Sequence, residues 1–445
     1  PYPMSLTSYE PRLVWKVTVE TDGRTGVFEH YIDARTGEIL WRHDAVHYVT
    51  YAGATEGMVE DKTWCNGQAM QRLKYEEVNV EGLGTITSNG NGDWSITGPD
   101  VGFRAVSTRF RGPFVDLNRT TGGTTPIIFD FCLPGKPCFL TWSDDNSRRD
   151  ERDVFDAVVD IHDFFETLDP GYSYSNRQIR ANVGVPGTCN AFWNGSINFY
   201  DASSSCANSG EIQGVVEHEF GHGVQDNLIG SQGNEGLGEG NADVLANFMT
   251  DDSLVGRGFF LSCSSGIRNS NNNRQYPEDL NGEEHNDGQI MSGVMWDTRT
   301  NLQSSLGTTA GKARAAMIWH FGRKLERPDT QPDQCLSMFI ADDDNGNVLD
   351  GTPNFDALCA AVMKHDTDGD AFDCPEFGSV WVDFAATGTQ NGTQAHPYHS
   401  VFQAQSAAVN GYVMKVRDGA TTEIGTLSKP GELRAIGGIV RVGAP

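Results

Sequence analysis

Basic residues are scarce in this chain: 33 lysines and arginines stand against 60 aspartates and glutamates, for a formal net charge of -27. Binding a phosphate backbone needs a basic footprint, so nucleic acid is set aside as a partner. No apolar run approaches the roughly 20 residues that a membrane helix needs, so no membrane span is expected. The nine cysteines include no CxxC pair, which argues against a thiolate zinc site and for disulfides in an oxidising compartment, with buried reduced thiols as the alternative. The start at Pro1 shows neither a charged n-region nor an apolar h-region, so the start reads as processed or truncated and secretion is inferred from the cysteines.

At 445 residues the chain exceeds what one hydrophobic core serves, and two or more domains are expected. Local cysteine pairs are plausible at Cys132 with Cys138, Cys189 with Cys206, and Cys359 with Cys374. A longer link between Cys263 and Cys335 would leave Cys65 free, although connectivity does not follow from sequence.

Leu13, Trp15, Val17 and Val19 alternate with polar neighbours as in a half-buried strand. Two further strands follow around Tyr31-Ile32 and Ile39-Leu40-Trp41, joined by the turn Asp33 to Gly37. From about residue 51 to 140, short strands separated by Gly and Asn turns read as a β-sandwich. A helical stripe then begins at Val154, Val158, Ile161, Phe165 and Leu168, ended by Pro170 and Gly171. Helices dominate to about residue 365, and the tail to residue 445 is Gly-rich with alternating stretches. The expected division is 1–48, 49–140, 141–377 and 378–445.

Ile212, Val216, Phe220, Val224 and Leu228 recur every four residues and give one helix an apolar side. On another face His218 and His222 are also four apart, so both imidazoles reach one metal ion, and Glu219 sits beside them. In HEFGH this spacing suits Zn²⁺ held by two imidazoles with an adjacent carboxylate as base. Glu239 follows in GLGEGNADVLANF on a second helical start and is a natural third ligand. Asp243, four residues on, is placed to accept the free ring N–H of a ligating histidine. The plainer readings are two histidines on a solvated face and an acidic helix cap.

These motifs together resemble the two-His, one-Glu zinc endopeptidases, thermolysin and above all the fungalysins and their bacterial relatives. LVWKVTVE through YIDARTGEILWR resembles the tail of the propeptide of such proteases, and the β-sandwich looks like the carboxypeptidase-regulatory-like modules found beside some of them. The resemblance implies an α+β, zincin-like catalytic domain acting on protein or peptide substrates, with its own propeptide as a further partner. CNAFWNGSINFY looks like the family's substrate-binding edge strand, which maps to Asn190 and Ala191. SGIRNSNNN maps the substrate-contacting arginine to Arg268, and EEHNDGQIMSG maps the oxyanion-stabilising histidine to His285. Asp279 is expected to orient His285, with Glu283 or Glu284 as alternatives. Val215 and Ile267 would line the pocket for the residue after the scissile bond. Thermolysin's tyrosine between the second and third ligands has no counterpart here, and Tyr276 is a substitute to test. DDDNGN at 342–347 and DTDGD at 366–370 are oxygen-rich turns suited to Ca²⁺, with solvated Asp-rich turns as the alternative.

Overall fold

The computed structural model describes residues 11–20, 26–346, 351–367, 372, 374, 379–408 and 412–443. Strands β1 (Val14–Glu20), β2 (Val27–Asp33) and β3 (Ile39–Asp44) form an antiparallel meander in that order. Its turn is built by Asp33, whose Oδ1 accepts the N–H groups of Arg35 and Thr36 at 2.8 and 3.0 Å, as an Asx turn does. Trp15, Ile39 and Trp41 remain exposed, so the meander contributes to none of the buried cores.

Two four-stranded sheets follow. β4 (Tyr48–Glu60), β5 (Gln68–Arg72), β6 (Glu77–Val80), β7 (Gly84–Thr87), β8 (Asp93–Pro99) and β9 (Arg104–Thr108) come first in the chain. After them come β10 (Val115–Arg119), β11 (Ile128–Cys132) and β12 (Pro137–Trp142). One sheet has the order β12-β4-β5 with β8 also paired to β4, and the other runs β11-β9-β6-β7. Tyr51, Trp94 and Leu140 from the first meet Val78, Val80 and Val106 from the second in a shared core. Alternation of inward apolar and outward polar residues is what makes these segments strands with one buried face.

Helix α1 (Arg149–Leu168) starts where Glu151 accepts the Arg148 N–H at 2.9 Å, the return half of a capping box. Its stripe Val154, Val158, Ile161 and Phe165 is fully buried. It packs beside a third sheet of order β10-β13-β15-β14, where β13 is Ile179–Val185, β14 is Ala191–Trp193 and β15 is Ile197–Tyr200. β14 is the edge and runs antiparallel to β15. Helices α2 (Gln213–Ile229) and α3 (Leu237–Thr250) follow, then the two-residue strands β16 (Leu254–Val255) and β17 (Arg268–Asn269). Next come α4 (Glu284–Leu306), α5 (Thr308–Glu326), α6 (Gln331–Asp342) and α7 (Phe355–Lys364). One large core runs from α1 and the third sheet through all these helices. The C-terminal part has its own smaller core, made by β18 (Ser379–Val382), α8 (Val401–Ala407), β19 (Tyr412–Thr421) and β20 (Gly431–Val442).

The three local disulfides form as expected: Cys132–Cys138, Cys189–Cys206 and Cys359–Cys374. The long link does not. Cys65 pairs with Cys263 across 198 residues, and Cys335 is the buried free thiol. The reason is tertiary: the β4–β5 turn is docked against the loop after α3, while Cys335 sits inside the helical core. Among the described residues no helix is long and apolar enough to cross a membrane.

Candidate metal centre and active site

HEFGH lies within α2, so His218 and His222 project from successive turns of one face. Gly221 between them lets α3 approach closely: a Cβ there would stand 2.7 Å from the Ala242 Cα. That approach carries Glu239, in the first turn of α3, up to the two rings. His218 Nε2 is 3.1 Å from His222 Nε2 and 3.2 Å from Glu239 Oε2, and His222 Nε2 is 3.4 Å from Glu239 Oε1. Among the described residues this is the one group of three or more His, Cys, Asp or Glu side chains whose ligand atoms all lie within 4.8 Å of one another.

These contacts make poor hydrogen bonds, since two ring nitrogens face each other and the buried Glu239 Oε2 has no hydrogen-bond partner. They make a good cation site. Ligands about 2.0–2.1 Å from a central ion in a tetrahedron are separated by about 3.3–3.4 Å, close to the three distances found here. Two imidazoles and one carboxylate are also the donor set of a catalytic zinc.

Behind the rings stands a second set of partners. Asp243 Oδ1 is 2.7 Å from His218 Nδ1, and the same carboxylate receives Arg268 through Nε at 2.7 Å and Nη2 at 2.6 Å. His222 Nδ1 is held by Gln232 Oε1 at 2.9 Å. Gln232 in turn donates to Asp226, which accepts the Trp193 indole N–H at 2.9 Å, so a chain of hydrogen bonds joins one ring to the edge strand β14.

Electrostatics follow from this crowding. Burial pulls the His218 ring down, but its contacts to Asp243 and Glu239 outweigh that and push it up to about 10. A ring flanked by carboxylates at both nitrogens is a strong base and therefore a strong metal ligand, which releases a proton on loading. Burial alone would raise Glu239 and Asp243, yet the imidazoles and Arg268 hold both below the usual carboxylate range. Glu219 differs. Burial pushes it up to about 7, with Glu239 adding to the rise and His218, Arg268 and His285 opposing it. A carboxyl poised near neutrality both takes and returns a proton.

The ligand group opens into a cleft of ≈ 690 Å³. Its lining includes Asn190, Ala191, Val215, Glu219, Ile267, Arg268 and His285. Asn190 and Ala191 stand at the start of the edge strand β14, whose outer side carries no partner strand among the described residues. His285 is in the first turn of α4 and half exposed, its Nε2 3.6 Å from Glu239 Oε1. Glu283 orients it, accepting from Nδ1 at 2.6 Å while capping α4 through the His285 and Asn286 N–H groups. Asp279 does not: its carboxylate accepts the Gln275 N–H at 2.7 Å, and it is committed to that turn. Tyr276 is absent from the lining; its hydroxyl donates to Glu235 at 2.6 Å.

Gln232, Asp226, Phe259 and Phe260 are additions that sequence reasoning missed. Gln232 sits in the irregular segment GSQGNE, which has no periodicity to announce it, and Phe259-Phe260 belong to a turn without a motif. Among the described residues, those of the acidic turns join no second group of His, Cys, Asp or Glu at metal-ligand spacing. Asp342 is buried and its carboxylate accepts from Arg314 at 2.8 Å and from Asn354 at 2.7 Å. Asn347 and residues 368–370 lie outside the described residues.

Comparison with known proteins gives three findings. The family described as "Peptidase propeptide and YPEB domain" (PepSY) matches residues 2–40, so the start of the chain is similar to that domain. A solved structure titled as the precursor of protealysin, a metalloproteinase from Serratia proteamaculans, aligns over 56% of this chain and 86% of its own, with a TM-score of 0.44 and 16% identity. No curated protein matches the chain.

Proposed function

We propose that this chain is a precursor-type, secreted zinc endopeptidase of the thermolysin-like kind, nearest in layout to the fungalysins, with Zn²⁺ held by His218, His222 and Glu239. The observation that carries the reading is the convergence of those three side chains, at tetrahedral spacing, on the floor of an open cleft whose lining includes the buried Glu219. The PepSY match at residues 2–40 supports the precursor character, and four disulfides support an oxidising, extracellular setting.

Bound at this site, zinc supplies Lewis acidity, acidifying water and polarising a carbonyl oxygen. The chain's residues do the rest. An extended peptide adds to the free edge of β14, with Asn190 and the Ala191 backbone binding its main chain. Glu219 takes a proton from the attacking water as its oxygen bonds to the scissile carbon. The same carboxyl then passes that proton to the amine nitrogen as the carbon–nitrogen bond breaks. His285 Nε2 and Arg268 donate to the carbonyl oxygen as charge grows there. Val215, Ile267, Val255 and Phe259 form an apolar pocket that favours Leu, Ile, Val or Phe immediately after the cut.

Replacing Glu219 by Gln keeps size and polarity but removes the proton acceptor. Zinc content should stay at one per chain while peptide hydrolysis collapses. His285→Ala should retain the base and cost about 10²–10³ in turnover. Mass spectrometry of a peptide-library digest, with and without a chelator, reads the specificity. Parent-rate cleavage by the Glu219→Gln protein would overturn the mechanism, and a digest dominated by charged residues after the cut would overturn the pocket assignment.

A further inference from the structure

The far wall of the cleft is the segment 254–268, which presents Val255, Phe259, Phe260 and Ile267. Short turns within it, among them the Gly258 N–H donating to the Ser265 carbonyl at 3.0 Å, and the Arg268 pair with Asp243 fix its local shape. β16 and β17 share two residue pairs, Leu254 with Asn269 and Val255 with Arg268. A crevice of ≈ 270 Å³ lies where the segment, the base of α2 and the turn Lys62 to Asn66 meet, bordered by Lys62, Thr63, Ile212, Gly214, Leu254 and Arg257. The wall touches α2 on its inner side, where a Cβ on Gly256 would stand 3.4 Å from Val215 Cγ2, and opens into the crevice on its outer side.

Further ties come from almost 200 residues earlier. The β4–β5 turn of the sandwich inserts alongside: Thr63 Oγ1 donates to the Arg257 carbonyl at 2.9 Å and Trp64 Nε1 to the Gly258 carbonyl at 3.2 Å. Cys65 is bonded to Cys263. The same turn grips both catalytic helices, since Lys62 Nζ donates to the Thr250 carbonyl at the end of α3 at 2.6 Å. The Gln213 N–H, at the start of α2, donates to the Lys62 carbonyl at 2.9 Å. The fit is close: Gly258 has φ +91°, and a Cβ there would stand 2.8 Å from Cys65 Sγ and 2.9 Å from Trp64 Nε1.

We infer that the turn Lys62 to Cys65 of the β-sandwich is a specificity-determining element of the peptidase, clamping the apolar wall at a fixed distance from the metal-ligand helices. The inference rests on the proposed peptidase reading for its substrate consequence and on geometry alone for the clamp. A pocket selects between apolar side chains only while its wall stays in contact with them, and one methylene in such a pocket is worth about 10–200-fold. Freed of the turn, the wall keeps its β16–β17 pairs, its internal turns and the Arg268 pair with Asp243 but loses three ties at its outer side, and discrimination relaxes while Glu219 and the ligand set stay in place.

The test compares the parent chain with Cys65→Ser/Cys263→Ser, both zinc-loaded, by two readouts. The first is amide hydrogen exchange: exchange in 254–268 should speed by about tenfold or more, with α2 and α3 as protected as before. The second is the ratio of kcat/KM for two peptides that differ only in Leu or Ala after the cut. That ratio should fall by about tenfold, mainly through KM for the Leu peptide. Should the double variant not fold, Thr63→Val/Trp64→Phe, which keeps the disulfide but removes both donors, and the parent treated with a phosphine reductant carry the same readouts. Unchanged exchange in 254–268 overturns the clamp. Faster exchange with an unchanged Leu-to-Ala ratio overturns its role in specificity. A parent that cleaves neither peptide refutes the peptidase reading instead, and the exchange result still decides the clamp.

Discussion

Asp243→Asn separates two jobs that one buried carboxylate performs. In the parent, Asp243 Oδ1 holds His218 Nδ1 at 2.7 Å, and the carboxylate forms a two-bond pair with Arg268. Asn keeps one acceptor oxygen but turns an amide NH₂ toward either the ring or the guanidinium and removes the negative charge. For metal binding, losing the partner that fixes a ligand ring costs about 10–100-fold in affinity, or about 1.4–2.8 kcal/mol. For folding, the Arg268 side chain is only 10% exposed, and leaving a buried ion uncompensated costs about 3–5 kcal/mol. Adding Arg268→Leu removes that stranded charge. The double variant should therefore regain most of the stability, measured by urea unfolding with chelator present, while its zinc affinity, measured by competition with a chromophoric chelator, stays depressed. Recovery of both quantities together, or zinc affinity within twofold of the parent in Asp243→Asn, would refute the division of labour.

Glu283→Ala should cost about 1 kcal/mol through the lost cap of α4 and lower turnover without lowering zinc content, because His285 loses the partner of its Nδ1. Paired calorimetry and metal analysis check it, and unchanged turnover would detach Glu283 from His285. Away from the cleft, the Glu76 carboxyl is fully buried and accepts the Trp142 indole N–H at 2.8 Å; burial pushes it up to about 8. Its folded value lies above its unfolded one, so the folded state binds more protons between about pH 4.3 and pH 8. Its contribution is complete below that window and is lost as pH rises through it. Urea midpoints measured across that window should fall with pH in the parent and fall less in Glu76→Gln.

The ligand helices were legible because their chemistry is local: His218, His222 and Glu219 share one turn and a half of helix, and Glu239 with Asp243 share another. Periodicity also gave α1 and the alternating strands of the sandwich, where burial pattern and sequence spacing are the same fact. What escaped depends on distance along the chain. The partner of Cys263 is set by the docking of a turn almost 200 residues away, which no local pattern encodes. Gln232 reaches His222 from an irregular loop, where side-chain direction follows from backbone turns rather than from a repeat. The choice between Asp279 and Glu283 turned on which carboxylate caps α4, and only the placed backbone decides that.

Cys65–Cys263 also changes what a broken peptide bond means for this molecule. It closes a covalent ring around α1, the edge strand, both ligand helices and most of the sandwich. A single cut in any loop between those cysteines leaves the two pieces tethered, with every ligand to the metal still on one connected body. A proteolytic enzyme spends its working life among copies of itself. By the reading proposed above, this chain carries its own insurance against them: nicked molecules should run as intact on a non-reducing gel, fall into fragments only when reduced, and go on cutting in between.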